Sequence, residues 1–383
     1  MSVTAARGFT AAGIAAGIKQ NGNRDLALVV NNGPCHAAAG VFTSNRVQAA
    51  PVQWSRQVLA DGEIRAVVLN SGGANACTGP QGLKDTGATA EKAAERLGLN
   101  AADVAVCSTG LIGVPLPMDR LLAGVDSAVT RLSESGGEDA AVAVMTTDSV
   151  HKTAAVSRGG WTVGGMAKGA GMLAPGLATM LVVLTTDAAV EGADLDRALR
   201  DATRVTFDRV DSDGCMSTND TVLLLASGAS EVTPEPGEFA EAVRAVCADL
   251  ARQLIGDAEG ASKEIRIEVL GAASEDDAVE VGRSIARNNL LKCALHGEDP
   301  NWGRVLSAIG TTSAAFEPDR LNVAINGVWV CKDGSVGEDR ALVDMTDREV
   351  TITADLTAGT ASAVIWTNDL TADYVHENSE YSS

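Results

Sequence analysis

The sequence predicts an α/β protein of two or three packed units, and three features carry that expectation. The chain has 383 residues, more than one ordinary hydrophobic core accommodates. Twice before residue 113 an apolar, β-branched run enters a small-residue loop and gives way to a helical pattern, as in layered α/β units. The last ninety or so residues change character and read as alternating strands around a tight hairpin.

Taken in order, residues 26–31 and 37–42 read as short strands on either side of the turn Asn31-Asn32-Gly33-Pro34. Ala66-Val67-Val68-Leu69-Asn70 reads as a buried strand, and Val104-Ala105-Val106-Cys107 as another. Between them Asp85 is expected to cap a helix that runs through residues 88–97 and stops at Gly98. Residues 117–132 place Leu121, Leu122, Val125 and Val129 at helical spacing, and a further helix follows Gly136-Gly137. Residues 154–156 and 161–163 suggest a hairpin about Arg158-Gly159-Gly160. Asp194 is the expected cap of a helix that buries Leu195, Ala198, Leu199 and Ala202. A strand over 222–225 follows, then a linker at Pro234 and Pro236, then a helix with Phe239, Val243, Val246 and Leu250 inward. Residues 264–270 read as a strand and 276–290 as helix. Asn326-Gly327 joins residues 321–325 to 328–330 as the strongest short hairpin signal, and strands over 350–353 and 362–366 complete the chain.

Composition narrows the function. Apolar residues make up 45% and charged residues 21%, the mixture of a globular protein, while aromatics at 3% leave Ala, Val and Leu to fill the core. A net charge of −20 disfavours nucleic acid and anionic membrane as partners. Seven cysteines without a CxxC pair read as reduced thiols; with no signal-like N-terminus and no membrane-length apolar run, a cytoplasmic protein is expected. No P-loop, HExxH or GxSxG occurs, and Gly169-Ala170-Gly171 lacks the context of a dinucleotide fingerprint, so no metal or nucleotide cofactor is expected. Asp211-Ser212-Asp213-Gly214 lacks the twelfth-position glutamate of a calcium loop, since Val222 stands there.

One stretch carries the chemistry. Residues 164–176 are rich in glycine, hold one lysine, Lys168, and lead directly into Thr179 at the head of the apolar run 180–184. Two readings are open: a glycine-rich loop between core strands, or a strained peptide cut before Thr179. A threonine hydroxyl is a weak nucleophile unless a base adjoins it. A cut at Ala178-Thr179 would supply that base as the new α-amine, with a reference pKa of about 8, and would need no histidine.

The segment from Lys168 to Leu181 resembles the self-cleavage signature of the ornithine acetyltransferase (glutamate N-acetyltransferase) family. So do Ser108-Thr109-Gly110-Leu111-Ile112-Gly113, Met145-Thr146-Thr147-Asp148, residues 256–263, residues 366–371 and Tyr374-Val375-His376-Glu377-Asn378, all in family order. The resemblance implies a layered α-β-β-α sandwich of the self-processing ornithine acetyltransferase/aminopeptidase type. It implies cleavage between Ala178 and Thr179 into an α chain, 1–178, and a β chain, 179–383, that reassociate as α2β2 or larger. Thr179 would take an acetyl group from N-acetylornithine and pass it to glutamate in a ping-pong cycle, with Thr109 and Gly110 as the oxyanion hole. Thr146, Lys168, Thr179, Glu259, Asn378 and Ser383 would contact substrate. Ser383 stands where the family often has threonine, and keeps the hydroxyl. Thr147 competes with Thr146 for its role, and acetyl-CoA as a second donor is left open. A related amidase or aminopeptidase, passing the acyl group to water, is the alternative.

Overall fold

The computed structural model describes residues 2–174 and 180–380, which cluster into two compact units. One contains the chain up to Asp208 together with Cys215–Asp257; the other contains Arg209–Gly214 and the chain from Ala258 onward.

In the first unit the strands are β1 (Phe9–Ile14), β2 (Leu26–Asn31), β3 (Ala38–Phe42), β4 (Ala66–Ser71), β5 (Val104–Thr109), β6 (Lys152–Arg158), β7 (Trp161–Lys168), β8 (Leu181–Thr186) and β9 (Thr221–Ala226). The helices are α1 (Ala50–Val58), α2 (Gly79–Leu97), α3 (Met118–Val129), α4 (Gly137–Ala143), α5 (Gly192–Val205) and α6 (Pro236–Gly256). One sheet has the order β1-β2-β4-β5 and the other β3-β9-β8-β7-β6. β4 and β5 are parallel, as are β8 and β9, and the remaining pairs in both sheets are antiparallel.

The two-residue period of each strand explains the layering. Phe9, Ala11, Val29, Val67, Leu69 and Ala105 point inward and meet Met166, Leu181, Val183, Leu223 and Leu225 of the other sheet. The alternate residues Ile14, Leu28, Val68, Val104 and Val106 pack outward on Ala90 and Ala93 of α2 and on Leu121 and Val125 of α3. On the far side α5 and α6 cover the second sheet, with Leu195, Leu199, Phe239, Val243 and Leu250 buried. The layers are therefore α-β-β-α. Covered on both faces, the central strands have to be almost wholly apolar, hence the runs at 66–69, 181–184 and 222–225.

Several boundaries differ from the sequence reading. α2 starts at Gly79 with Pro80 in its first turn, where the fixed φ of proline suits a helix start, and Asp85 lies inside it, accepting from Gln81 Nε2 at 2.8 Å. α5 starts at Gly192 after Glu191, so Asp194 is a first-turn acid rather than the cap. The proline pair is not a unit boundary, because α6 packs on α5, β6 and β7 of the same unit. Gly164 and Gly165 are not loop residues but lie within β7. A Cβ on Gly164 would sit 2.4 Å from the Ser2 carbonyl oxygen, and one on Gly165 would sit 2.6 Å from Leu184 Cδ2, so close approach demands glycine in this strand.

The second unit contains β10 (Glu264–Ala272), α7 (Glu275–Ala286), α8 (Asn289–His296), α9 (Trp302–Ile309), β11 (Asn322–Ile325), β12 (Val328–Lys332), β13 (Ser335–Val336), β14 (Glu349–Asp355), β15 (Ala361–Asn368) and α10 (Ala372–Glu380). Its sheet has the order β13-β12-β11-β14-β10-β15. Ile265, Ile267, Val350, Ile352 and Ile365 form one core with Val281, Ile285, Val305 and Ile309. The expected helix over 276–290 breaks in two because the Asn288 side chain accepts from Leu291 N at 2.9 Å and starts α8 afresh. Asn326 and Gly327 both have positive φ, 46° and 81°, as a two-residue hairpin requires.

The short segment 209–214 is fixed to this unit by Asp211, whose N–H donates to the Trp366 carbonyl at 2.9 Å and whose Oδ2 accepts from Arg287 Nε at 2.7 Å. Burial raises the Asp211 carboxyl to about 6, against Arg287, Arg283 and Lys292, which pull it down. A carboxyl raised above its unfolded value of about 3.9 stabilises the fold at acid pH and loses that contribution as pH rises through about 6. Stability of Asp211→Asn relative to wild type is therefore expected to rise by roughly 3 kcal/mol from about pH 4 to about pH 7.5. Urea unfolding at the two pH values measures this, and a pH-independent difference would contradict it.

Candidate active site

The first candidate residues stand where β4 and β5 end side by side. Ser71 pairs with Thr109 in register, and the chain after β4 turns back so that Gly73 N–H donates to the Thr109 carbonyl at 2.9 Å. Ser108 Oγ donates to Asn70 Oδ1 at 2.6 Å, and Asn70 Nδ2 donates to the Gly73 carbonyl at 3.0 Å, locking that turn. Gly110 follows with φ 130°, and a Cβ there would lie 2.4 Å from Gly73 N. Only glycine fits this corner. Thr109 and Gly110 are thus held in a fixed backbone geometry, the condition for aiming amide donors at a developing oxyanion.

Lys168, the last residue of β7, is 2% exposed and donates from Nζ to Thr109 Oγ1 at 3.2 Å. Burying an ammonium is costly unless charge compensates it. Asp148 supplies that compensation. Its Oδ1 accepts from Lys152 Nζ at 2.7 Å and from Gly169 N at 2.6 Å, and its Oδ2 accepts from Thr146 N at 3.0 Å. Burial alone would raise the Asp148 carboxyl, but Lys168, Lys152 and the Gly169 N–H outweigh it and hold it below the ordinary value. Lys152 is wholly buried and also donates to Asp257 Oδ2 at 2.6 Å. Asp257 in turn accepts from Ser149 N at 3.0 Å. Thr146 and Thr147 are both half-buried, and the Thr146 amide is the one that Asp148 holds.

A third cation joins the group. Lys19 donates to the Met145 carbonyl at 2.6 Å and to the Arg24 carbonyl at 2.9 Å. Burial lowers its pKa and Lys168 adds to this, while Asp25 and Asp148 oppose it. Lys19 and Asp148 therefore grip Thr146 from both sides, one through the preceding carbonyl and one through its own amide.

In the second unit, Glu259 and Asn378 meet directly: Asn378 Nδ2 donates to Glu259 Oε2 at 3.0 Å and to the Tyr374 carbonyl at 3.0 Å. The turn carrying Glu259 is fastened from behind. Thr371 Oγ1 donates to the Gly260 carbonyl at 2.6 Å, and Asp369 Oδ1 accepts from Ser262 N and Lys263 N, both at 2.9 Å. Ala178, Thr179 and Ser383 lie outside the described residues. Thr109, Gly110, Thr146 and Lys168 are thus gathered in one unit, and Glu259 and Asn378 are paired in the other.

Lys19, Lys152 and Asp257 were not anticipated. Lys19 sits in a polar, turn-rich stretch and looks solvated; Lys152 and Asp257 meet each other across 105 residues of sequence. Among the described residues no cluster of three or more His, Cys, Asp and Glu side chains could hold a metal. A separate cavity of about 570 Å³ between β3, α1 and α5 is lined by Phe42, Arg56, Leu59, Asp196 and Arg200, and none of the site residues borders it. No helix among the described residues is long and apolar enough to cross a membrane.

Residues 10–383 match the ArgJ family. The arginine biosynthesis bifunctional protein ArgJ of Streptomyces avermitilis is 80% identical over 383 residues, covering all of both chains. That of Mycobacterium leprae is 59% identical over 390 residues, covering all of this chain and 96% of the relative. Among solved structures, ornithine acetyltransferase complexed with ornithine from Mycobacterium tuberculosis is 59% identical. It covers 47% of this chain and 96% of that one, with a TM-score of 0.45.

The Asp148 network makes a stability prediction. A carboxyl held below its unfolded value stabilises the fold above about pH 4 and loses that contribution as pH falls through its lowered folded value. Asp148→Asn is expected to lose about 3–5 kcal/mol near neutral pH, because it leaves two buried ammoniums short of a partner. The deficit should shrink in acid, as measured by urea unfolding from neutral to acid pH. A variant as stable as wild type at neutral pH would contradict it.

Proposed function

The chain belongs to the ArgJ family, and we propose that it is a self-processing glutamate N-acetyltransferase that moves an acetyl group from N-acetylornithine to glutamate through Thr179. The Thr179 hydroxyl attacks the acetyl carbonyl while its own α-amine takes the hydroxyl proton. The amide C–N bond breaks, ornithine leaves with a proton, and the acetyl group remains as an ester on Thr179. The amine of glutamate then attacks that ester, a C–N bond forms, the Thr179 hydroxyl is restored, and N-acetylglutamate departs. Each half-reaction passes through a tetrahedral oxyanion, for which Thr109 and Gly110 are the proposed donors; one such donor is worth about 2.7–4 kcal/mol.

The observation that most supports this reading is the buried Lys168 ammonium on Thr109 Oγ1, at the corner where Gly110 fixes the backbone. A cation there favours developing negative charge and attracts a substrate carboxylate. Thr146 is a further proposed contact, and Glu259 with Asn378 offers a carboxylate and an amide for the substrate amine. Ser383 completes the proposed set.

Processing between Ala178 and Thr179 would give chains 1–178 and 179–383, a division distinct from the two compact units, assembled as α2β2 or larger in the cytoplasm. The full-length relatives are named bifunctional, and acetyl-CoA is accordingly proposed as a second acetyl donor.

Wild type is expected to run as two bands on a denaturing gel and Thr179→Ala as one band at 39.1 kDa, with no transferase activity. Ornithine release from N-acetylornithine beyond one equivalent per site should require glutamate. Release indifferent to glutamate would instead identify the hydrolytic amidase or aminopeptidase reading. Glutamate acetylated from acetyl-CoA by wild type would support the second donor, and its absence would remove it.

A further inference from the structure

A pair of adjacent buried polar residues, Asn219 and Asp220, lies between the two strand ends that the proposed reaction brings together. Neither carries a role in the reaction outlined above. Asn219 is 4% exposed and Asp220 wholly buried. Asn219 Nδ2 donates to the Ala74 carbonyl at 2.6 Å and to the Ser108 carbonyl at 2.8 Å. Those carbonyls belong to the turn after β4 and to the residue just before Thr109. Asp220 Oδ1 accepts from the backbone N–H of Met180 at 3.2 Å, and Thr221 N–H donates to the Met180 carbonyl at 3.1 Å.

We propose that Asn219 and Asp220 are positioning residues that act as a register clamp, fixing the Ser108-Thr109-Gly110 corner of one sheet against the Met180 end of β8 in the other. The inference rests on the reading of Thr179 as nucleophile and Thr109-Gly110 as oxyanion hole.

Residue chemistry supports the assignment. A primary amide offers two N–H donors from one nitrogen, which is what two converging carbonyls require; a carboxylate there would offer none. Met180 lies one step before the paired register of β8 and β9, which begins at Leu181 opposite Thr221. A side-chain oxygen takes over there from the ladder. The clamp is itself anchored: Thr43 Oγ1 donates to the Ser217 carbonyl at 2.8 Å, and Thr43 N–H donates to the Asp220 carbonyl at 2.9 Å.

Asp220 also carries a cost that packing alone does not explain. Burial pushes the carboxyl well above its ordinary range, against the Met180 N–H, the Ser217 hydroxyl, Lys168 and the Thr43 hydroxyl, which oppose it. A buried acid needs a local reason to persist. Holding Met180 is that reason.

The test uses full-length Asn219→Asp, Asp220→Ala and Asp220→Asn, each followed for self-cleavage on denaturing gels, thermal midpoint, and kcat and KM with N-acetylornithine and glutamate. Asn219→Asp and Asp220→Ala are expected to cut slowly and to lose roughly a hundredfold in kcat, the effect of a displacement of about 1 Å, with KM nearly unchanged. Asp220→Asn keeps an acceptor for the Met180 N–H and is expected to recover most of the lost kcat. If Asp220→Ala does not fold, Asn219→Asp against Asn219→Ser, which restores a single donor, gives the same comparison. Wild-type kcat in Asp220→Ala or Asn219→Asp, or no recovery in Asp220→Asn at an unchanged midpoint, would overturn the clamp. An uncut, inactive wild type would overturn the proposed function instead.

Discussion

A carboxylate without water around it is the constraint on which the candidate site depends. Asp148 sits in the first unit with its side chain wholly shielded, and it survives as an anion only because two ammoniums and two amides converge on it. Lys152 and Asp257 extend the arrangement, so that the cations Lys152 and Lys168 are balanced by the anions Asp148 and Asp257. Such networks gain little over a well-packed apolar core, and breaking one strands a charge. Its consequence is geometric. Through Gly169 the carboxylate fixes the backbone next to Lys168, through Thr146 it holds its own loop, and Lys168 reaches Thr109.

The sheets make that geometry possible. Parallel pairing of β4 with β5 places their C-terminal ends together, so the Gly73 turn and the Thr109-Gly110 corner can lock each other. Antiparallel pairing of β7 with β8 sets Lys168 opposite Leu181 and so beside the start of the strand that follows Thr179. The inward faces are apolar over most of the shared core, so polar atoms gather toward the strand ends and must find partners there. The Asn219-Asp220 pair does so between the two sheets, where backbone ladders cannot reach.

Much of this architecture is legible in the sequence. Apolar runs and turn residues located nearly every strand, and Asn326-Gly327 set the final hairpin, because period-two burial and positive φ leave local marks. The misplaced features share a cause. Asp85 and Asp194 have the chemistry of helix caps, but Pro80 and the extended Glu191 start those helices earlier. Gly164 and Gly165 look like loop glycines, yet they serve a strand pressed against Ser2, a partner remote in sequence. Thr109, Gly110, Thr146, Lys168, Glu259 and Asn378 are assigned to the candidate site by family resemblance rather than by pattern. Lys19, Lys152, Asp257, Asn219 and Asp220 escaped notice because their meaning lies in partners brought together only by folding.

The proposed function turns on an acetyl group carried on Thr179. Purified protein mixed with N-acetylornithine in the absence of glutamate, quenched in acid and measured by intact-mass spectrometry, tests it most directly. If Thr179 is the carrier, the chain beginning at Thr179 gains the mass of one acetyl group and added glutamate removes it. An unmodified chain together with ornithine formed at the full transfer rate would contradict a covalent intermediate on this residue.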